Sequence, residues 1–156
     1  MPKITTFLTF DNQAEDAANF YTSVFKNSKI VSTARYGDAG PGPKGSLMTA
    51  TISLDGQELM LLNGGPTFKF SQACSLFVSC ETQAEVDDYW SKLTAGGKEI
   101  QCGWLVDKFG VSWQIIPTIL GKLLGDKDPK RAGRVMQAMM KMVKIDINGL
   151  QQAAEG

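Results

Sequence analysis

The chain has 156 residues, 43% hydrophobic and 21% charged, a composition that fits one globular domain and excludes a disordered segment. Sixteen Lys and Arg balance sixteen Asp and Glu, so the net charge gives no reason to expect a nucleic acid or a membrane surface as partner. There is no histidine, which removes Ser-His-Asp and Cys-His nucleophile pairs, imidazole metal ligands and histidine acid–base catalysis.

At the N-terminus, Met1-Pro2-Lys3 runs straight into a strand-like segment, without the charged and apolar regions of a signal peptide. Residues 4–10 are apolar and Thr-rich, as strands prefer. Asp11 or Asn12 is placed to cap the helix that follows, and Glu15 suits its first turn. Ala17, Ala18, Phe20, Tyr21 and Val24 form an apolar stripe at helical spacing. A strand around Ile30 leads to Arg35 and Tyr36, either a lid over a ligand or simply exposed hairpin residues. The stretch from Gly37 to Gly45 carries two prolines and no helical pattern after it, so it reads as a surface loop. From Leu47 to Leu62 the chain reads as a hairpin: LMTATISL, then Asp55-Gly56, then QELMLL. Asn63 opens an NGGP turn that its amide is suited to fix.

The segment from Phe77 to Ile100 repeats that from Phe7 to Ile30 at an offset of 70. Gln83-Ala84-Glu85 falls on Gln13-Ala14-Glu15, and Trp90 falls on Phe20. Thr82 with Glu85 forms a capping-box pattern, Val86, Tyr89, Trp90 and Leu93 form the stripe, and Gly96-Gly97 ends the helix. At an offset of 54, WLVDKFGVSWQIIP matches the first hairpin, with Gly110 on Gly56 and Gln114 on Met60. Each half therefore reads strand–helix–strand–strand–strand. Further on, Asp128 and Pro129 begin a helix over roughly 129–143, rich in methionine and basic residues, and Asp146 caps a short last helix.

Cys74, Cys80 and Cys102 match neither a disulfide framework nor a zinc pattern, which suits a cytoplasmic protein with reduced thiols. No apolar run approaches the length of a membrane span. In a four-stranded unit with one helix, the helix covers one sheet face, and the other must pack on something or curl into a cup. Two units placed edge to edge make either a small-molecule pocket or two sheets that bury each other.

The chain resembles the vicinal-oxygen-chelate superfamily, which includes glyoxalase I, bleomycin-resistance proteins and extradiol dioxygenases. It is most similar to the PhnB-like branch labelled 3-demethylubiquinone-9 3-methyltransferase domain. The likeness lies in FDNQAEDAANFYTSVF, LNGGPTFKF, QCGWLVDKFGVSWQIIP and RVMQAMMKMVKIDI. It implies an α+β fold of two βαβββ modules, residues 1–68 and 69–120, in one curved mixed sheet, with a helical extension over 121–156, one compact domain overall. Relatives commonly dimerise, so a homodimer with the methionine-bearing helix near the interface is expected.

Metal-dependent relatives hold a divalent ion in the cup. The positions carried over from them are Thr5 or Ser75, Thr49, Met60 and Gln114, none a good ligand. No metal and no cofactor are expected, and no catalytic residue is named, so whether the chain is an enzyme stays open. Alternation from those positions puts Phe7, Thr9, Thr49, Thr51, Met60, Leu62, Gln114 and Ile116 on the cup face, apolar with a few orienting polar groups. Trp104 either stacks on a planar ligand or packs under a loop, Tyr36 is a lid candidate, and Trp113 points away as core. The function expected is metal-free binding of a small molecule. The alternative is a methyltransferase-like enzyme acting on a quinone-type ring, although no glycine-rich turn here opens a helix.

Overall fold

Alternation of side chains along the strands decides which face each sheet buries. The computed structural model describes residues 2–156. These divide into two units, one ending at Lys69 and the other running from Phe70 to Gly156. In the first, β1 (Thr6–Phe10), α1 (Ala14–Val24), β2 (Ser28–Arg35), β3 (Leu47–Leu54) and β4 (Gln57–Asn63) follow in order. The sheet order is β1-β4-β3-β2, with β1 parallel to β4 and the other pairs antiparallel. Leu8, Phe10, Ala50, Ile52, Leu59 and Leu61 are buried on one face. There α1 packs its own buried stripe of Ala14, Ala17, Ala18, Tyr21 and Val24. Each fully buried Leu or Ile in such a layer contributes about 1.5–3 kcal/mol. Asp55 and Gly56 both take left-handed backbone angles (φ 50° and 88°), the two-residue turn that matches the twist of a hairpin.

The start of α1 differs from the sequence expectation. Neither Asp11 nor Asn12 caps it; Gln13 stands at the cap position and makes no side-chain bond. Instead the Ala14 N–H donates to Asn63 Oδ1 at 2.8 Å, and Asn63 Nδ2 donates to the Leu47 carbonyl at 3.1 Å. An amide from the end of β4 thus replaces a local cap, and ties the helix to both strands of the hairpin.

The second unit repeats the plan with β5 (Ser75–Cys80), α2 (Gln83–Thr94), β6 (Lys98–Glu99), β7 (Trp104–Val106) and β8 (Ser112–Pro117), in the order β5-β8-β7-β6. Phe7 stands opposite Met60, and Phe77 opposite Gln114, so both sequence offsets meet in one equivalent pair. Thr82 accepts from the Glu85 N–H as the capping box requires, and Glu85 returns a bond from the Glu81 N–H. The β7–β8 turn is wider than its counterpart: Asp107 pairs with Val111 across residues 108–110, with Gly110 in the left-handed region. Buried Asp107 holds it, with Oδ1 accepting from Phe109 N and Val111 N, and Oδ2 from Trp113 Nε1 at 2.8 Å. Trp113 is buried on the helix side, as expected.

Three helices follow: α3 (Thr118–Leu124), α4 (Pro129–Met140) and α5 (Ile147–Glu155). Asp128 and Asp146 cap the last two as expected. The first was not foreseen. Helix α4 ends earlier than its periodicity suggests, because the Met142 and Val143 carbonyls accept from the Cys102 and Gly103 N–H groups. Ile116, Leu120, Val135, Ile145, Leu150 and Ala154 form one buried cluster. The Gln83 side chain clamps the extension, donating to Ile145 O and accepting from Ile147 N.

Replacing Asp107→Ala removes the acceptor of three N–H groups and should cost about 3 kcal/mol in urea unfolding. Gly133→Ala, inside α4 where an added methyl meets nothing within 4 Å, should stabilise by up to about 1 kcal/mol in the same measurement.

Candidate functional site

The face of the first sheet opposite α1 carries most of the residues singled out from the sequence. Strand pairing sets them in two rows across the sheet. One row is Thr9, Leu62, Thr49 and Ala34; the other is Phe7, Met60, Thr51 and Ser32. Six of the ten expected ligand-binding residues are thus neighbours on one surface. Phe7 is 50% exposed there, while Thr9, Thr49, Thr51, Met60 and Leu62 are half-buried. Apolar side chains alternate with hydroxyls across it, so a ligand would find wide van der Waals contact and a few hydrogen-bonding points.

In the second unit the equivalent row is Phe77, Gln114 and Trp104. Phe77 is 58% exposed, and Gln114 and Trp104 are half-buried. Trp104 reaches this row because the wider β7–β8 turn shifts the register by one residue relative to the first hairpin, and a one-residue slip changes the face. Gln114 Nε2 donates to Ser75 Oγ at 2.9 Å. Beside them Ser112 is buried, with no hydrogen-bond partner for its hydroxyl among the described residues. Ile116 shares this parity, but the extension covers it: it is 8% exposed within the cluster of α3, α4 and α5. Tyr36 lies in neither row, since its hydroxyl donates to the Asn63 carbonyl at 2.7 Å at the end of the sheet.

Phe77 and Ser112 were not among the residues picked from the sequence. Phe77 is the offset-70 partner of Phe7 and was findable from the repeat. Ser112 carried no signal, because its burial depends on what packs over it.

At the positions expected from the resemblance, Thr49 offers a hydroxyl and Met60 a thioether in the first unit, while in the second Gln114 and Ser75 bond to each other; such groups hold first-row divalent ions weakly. Among the described residues, no group of three or more Cys, Asp or Glu is gathered where it could hold a metal. Arg35 lies 2.8 Å from Glu15 and holds its carboxyl below the usual carboxylate range. Burial, and then the negative charges of Glu85 and Glu81, push the Cys80 thiol up to about 12. Cys74 is exposed.

The family described as 3-demethylubiquinone-9 3-methyltransferase matches residues 2–116. The chain belongs to this family. It is a PhnB-like branch of the vicinal-oxygen-chelate superfamily, and the two strand–helix–three-strand units are the glyoxalase/bleomycin-resistance type of α+β fold. A PhnB protein of Bacillus cereus bearing the same methyltransferase name is 44% identical, with a TM-score of 0.70 over 75% of this chain and 100% of its own. Protein PA1353 of Pseudomonas aeruginosa shares the fold at 20% identity and a TM-score of 0.62, over 72% of this chain and 95% of its own. The fosfomycin resistance protein FosX of Listeria monocytogenes, solved with Mn(II) and sulfate, is 12% identical with a TM-score of 0.49, over 72% and 88%. No curated protein matches the sequence. Helices α3 to α5 lie outside the family match.

The raised thiol value predicts that iodoacetamide at pH 8 labels Cys74 in the folded protein and leaves Cys80 unlabelled, read by peptide mass spectrometry. A thiol kept neutral in the fold supports stability below about pH 8.5, the ordinary cysteine value, and that support should fade as pH rises toward 12.

Proposed function

We propose that this chain binds a small, partly apolar molecule on the face of its first sheet opposite α1, and does so without a resident metal. The observation that carries the proposal is the pair of rows on the first sheet, where Phe7, Met60 and Leu62 supply apolar contact and Thr9, Thr49 and Thr51 supply hydroxyls. The side chains at the ligand positions of metal-dependent relatives support the metal-free part, since hydroxyl, thioether and amide groups hold first-row divalent ions weakly.

A methyltransferase acting on a quinone-type ring is the second reading, and the family's own description favours it. Against it stands the glycine-rich stretch of residues 37–45. It joins β2 to β3 with no helix after it, so it lacks the strand–turn–helix geometry that cradles a nucleotide. As part of the same proposal the chain forms a homodimer in a cytoplasmic setting. Exposed Met136, Met140 and Val143 on and beside α4 support the dimer. No helix among the described residues is long and apolar enough to cross a membrane.

Native mass spectrometry of protein purified without added ligand should show a dimer, no stoichiometric metal and a retained small molecule. Thermal unfolding should not move with millimolar S-adenosylmethionine. A saturable upward shift with that compound would replace binding with methyl transfer as the leading function. Stoichiometric zinc or manganese that survives a chelator would end the metal-free proposal.

A further inference from the structure

Residues 36–46 connect β2 to β3, where the second unit needs only 100–103 to connect β6 to β7. The added residues are held in a defined shape. Tyr36 N donates to Ser46 O at 2.9 Å, Gly45 N donates to Tyr36 O at 2.8 Å, and the Tyr36 hydroxyl reaches across to Asn63 O. Gly42 lies against the Tyr36 ring, where a methyl group would overlap the ring carbons. Between this loop and the segments that follow β1 and β4 is a hollow of about 360 Å³. Because β1 and β4 are parallel, both carboxyl ends open at this edge.

The lining fixes the sign of what fits. Asp11 is the one charged side chain on the wall, and among the described residues neither its carboxylate nor the Asn12 amide has a side-chain partner. No Lys or Arg lines the hollow. Of the nearby cations, Arg35 is bound by Glu15 and by the Gly45 carbonyl, and Lys44 of the same loop is paired with Asp38 at 2.9 Å. The N–H that α1 would offer an anion, at Ala14, is already bound by Asn63, and Glu15 and Asp16 add negative charge to the first turn. Apolar walls come from Tyr36, Pro41, Pro43 and Leu47.

We propose that the inserted loop completes a second binding site, separate from the two rows, for a small organic cation: an ammonium group beside Asp11 and Asn12 on a compact apolar body against Tyr36 and the prolines. An anionic molecule of the same shape is rejected, because it would bring its charge against Asp11 with no cation to receive it.

The test is an amide-resolved NMR titration with tryptamine, and with indole-3-acetate as a probe of similar ring and opposite charge. Tryptamine should give saturable shifts centred on Asp11, Asn12, Ser46 and Gly64, weakening as salt is raised. Indole-3-acetate should give none there. Asp11→Asn, at an exposed position that should leave the fold intact, should weaken tryptamine by about fivefold or more. Gly42→Ala should abolish binding by displacing Tyr36. Equal binding of the two probes, undiminished binding to Asp11→Asn, or no saturable shift at these amides would overturn the proposal. Shifts confined to Phe7, Thr49 and Met60 would likewise sink it while supporting the row site, so the two proposals fail separately.

Discussion

Each strand–helix–three-strand repeat of this chain has one helix of its own to serve four strands, and a helix can cover only one face of a sheet. Every second residue therefore meets a different environment from its neighbours. On the helix side the first sheet presents Leu8, Ala50, Ile52, Leu59 and Leu61, all buried. On the other side the same strands present Phe7, Thr9, Thr49, Thr51, Met60 and Leu62. A one-residue slip would exchange the two sets, so the make-up of the face opposite α1 rests on the same register that builds the core.

The halves repeat one plan, with clear departures from symmetry. The first adds the loop over Tyr36 and leaves its second face to two rows of mixed polarity. The second keeps a shorter connection, widens its last turn around Asp107, and takes on three helices that cover Ile116. The extension lies beyond the family match, which ends at residue 116.

What was legible in the sequence was local or periodic. The Asp55-Gly56 turn, the Thr82, Asp128 and Asp146 caps and the paired offsets all depend on residues within a few positions of one another, or on a repeat that can be counted. The missed features depend on partners far along the chain. Asn63 replaces a cap on α1 from the end of β4, the β6–β7 connection draws Met142 and Val143 out of a helix, and the extension buries Ile116. The lack of histidine is read directly from the sequence, and no choice of alignment puts an imidazole on the sheet.

The parallel pairing of β1 with β4 also has a kinetic consequence. Thr6 must wait for Leu59, and all of α1, β2 and β3 are made in between, whereas the β3–β4 hairpin closes through two residues. The hairpin is thus the natural nucleus, and β1 is the last strand to join, since loop-closure entropy must be met before its contacts form. During synthesis β1 leaves the ribosome before β4, with its apolar side chains bare and its partner not yet translated. That interval is the one in which a holdase or an aggregating neighbour would meet it.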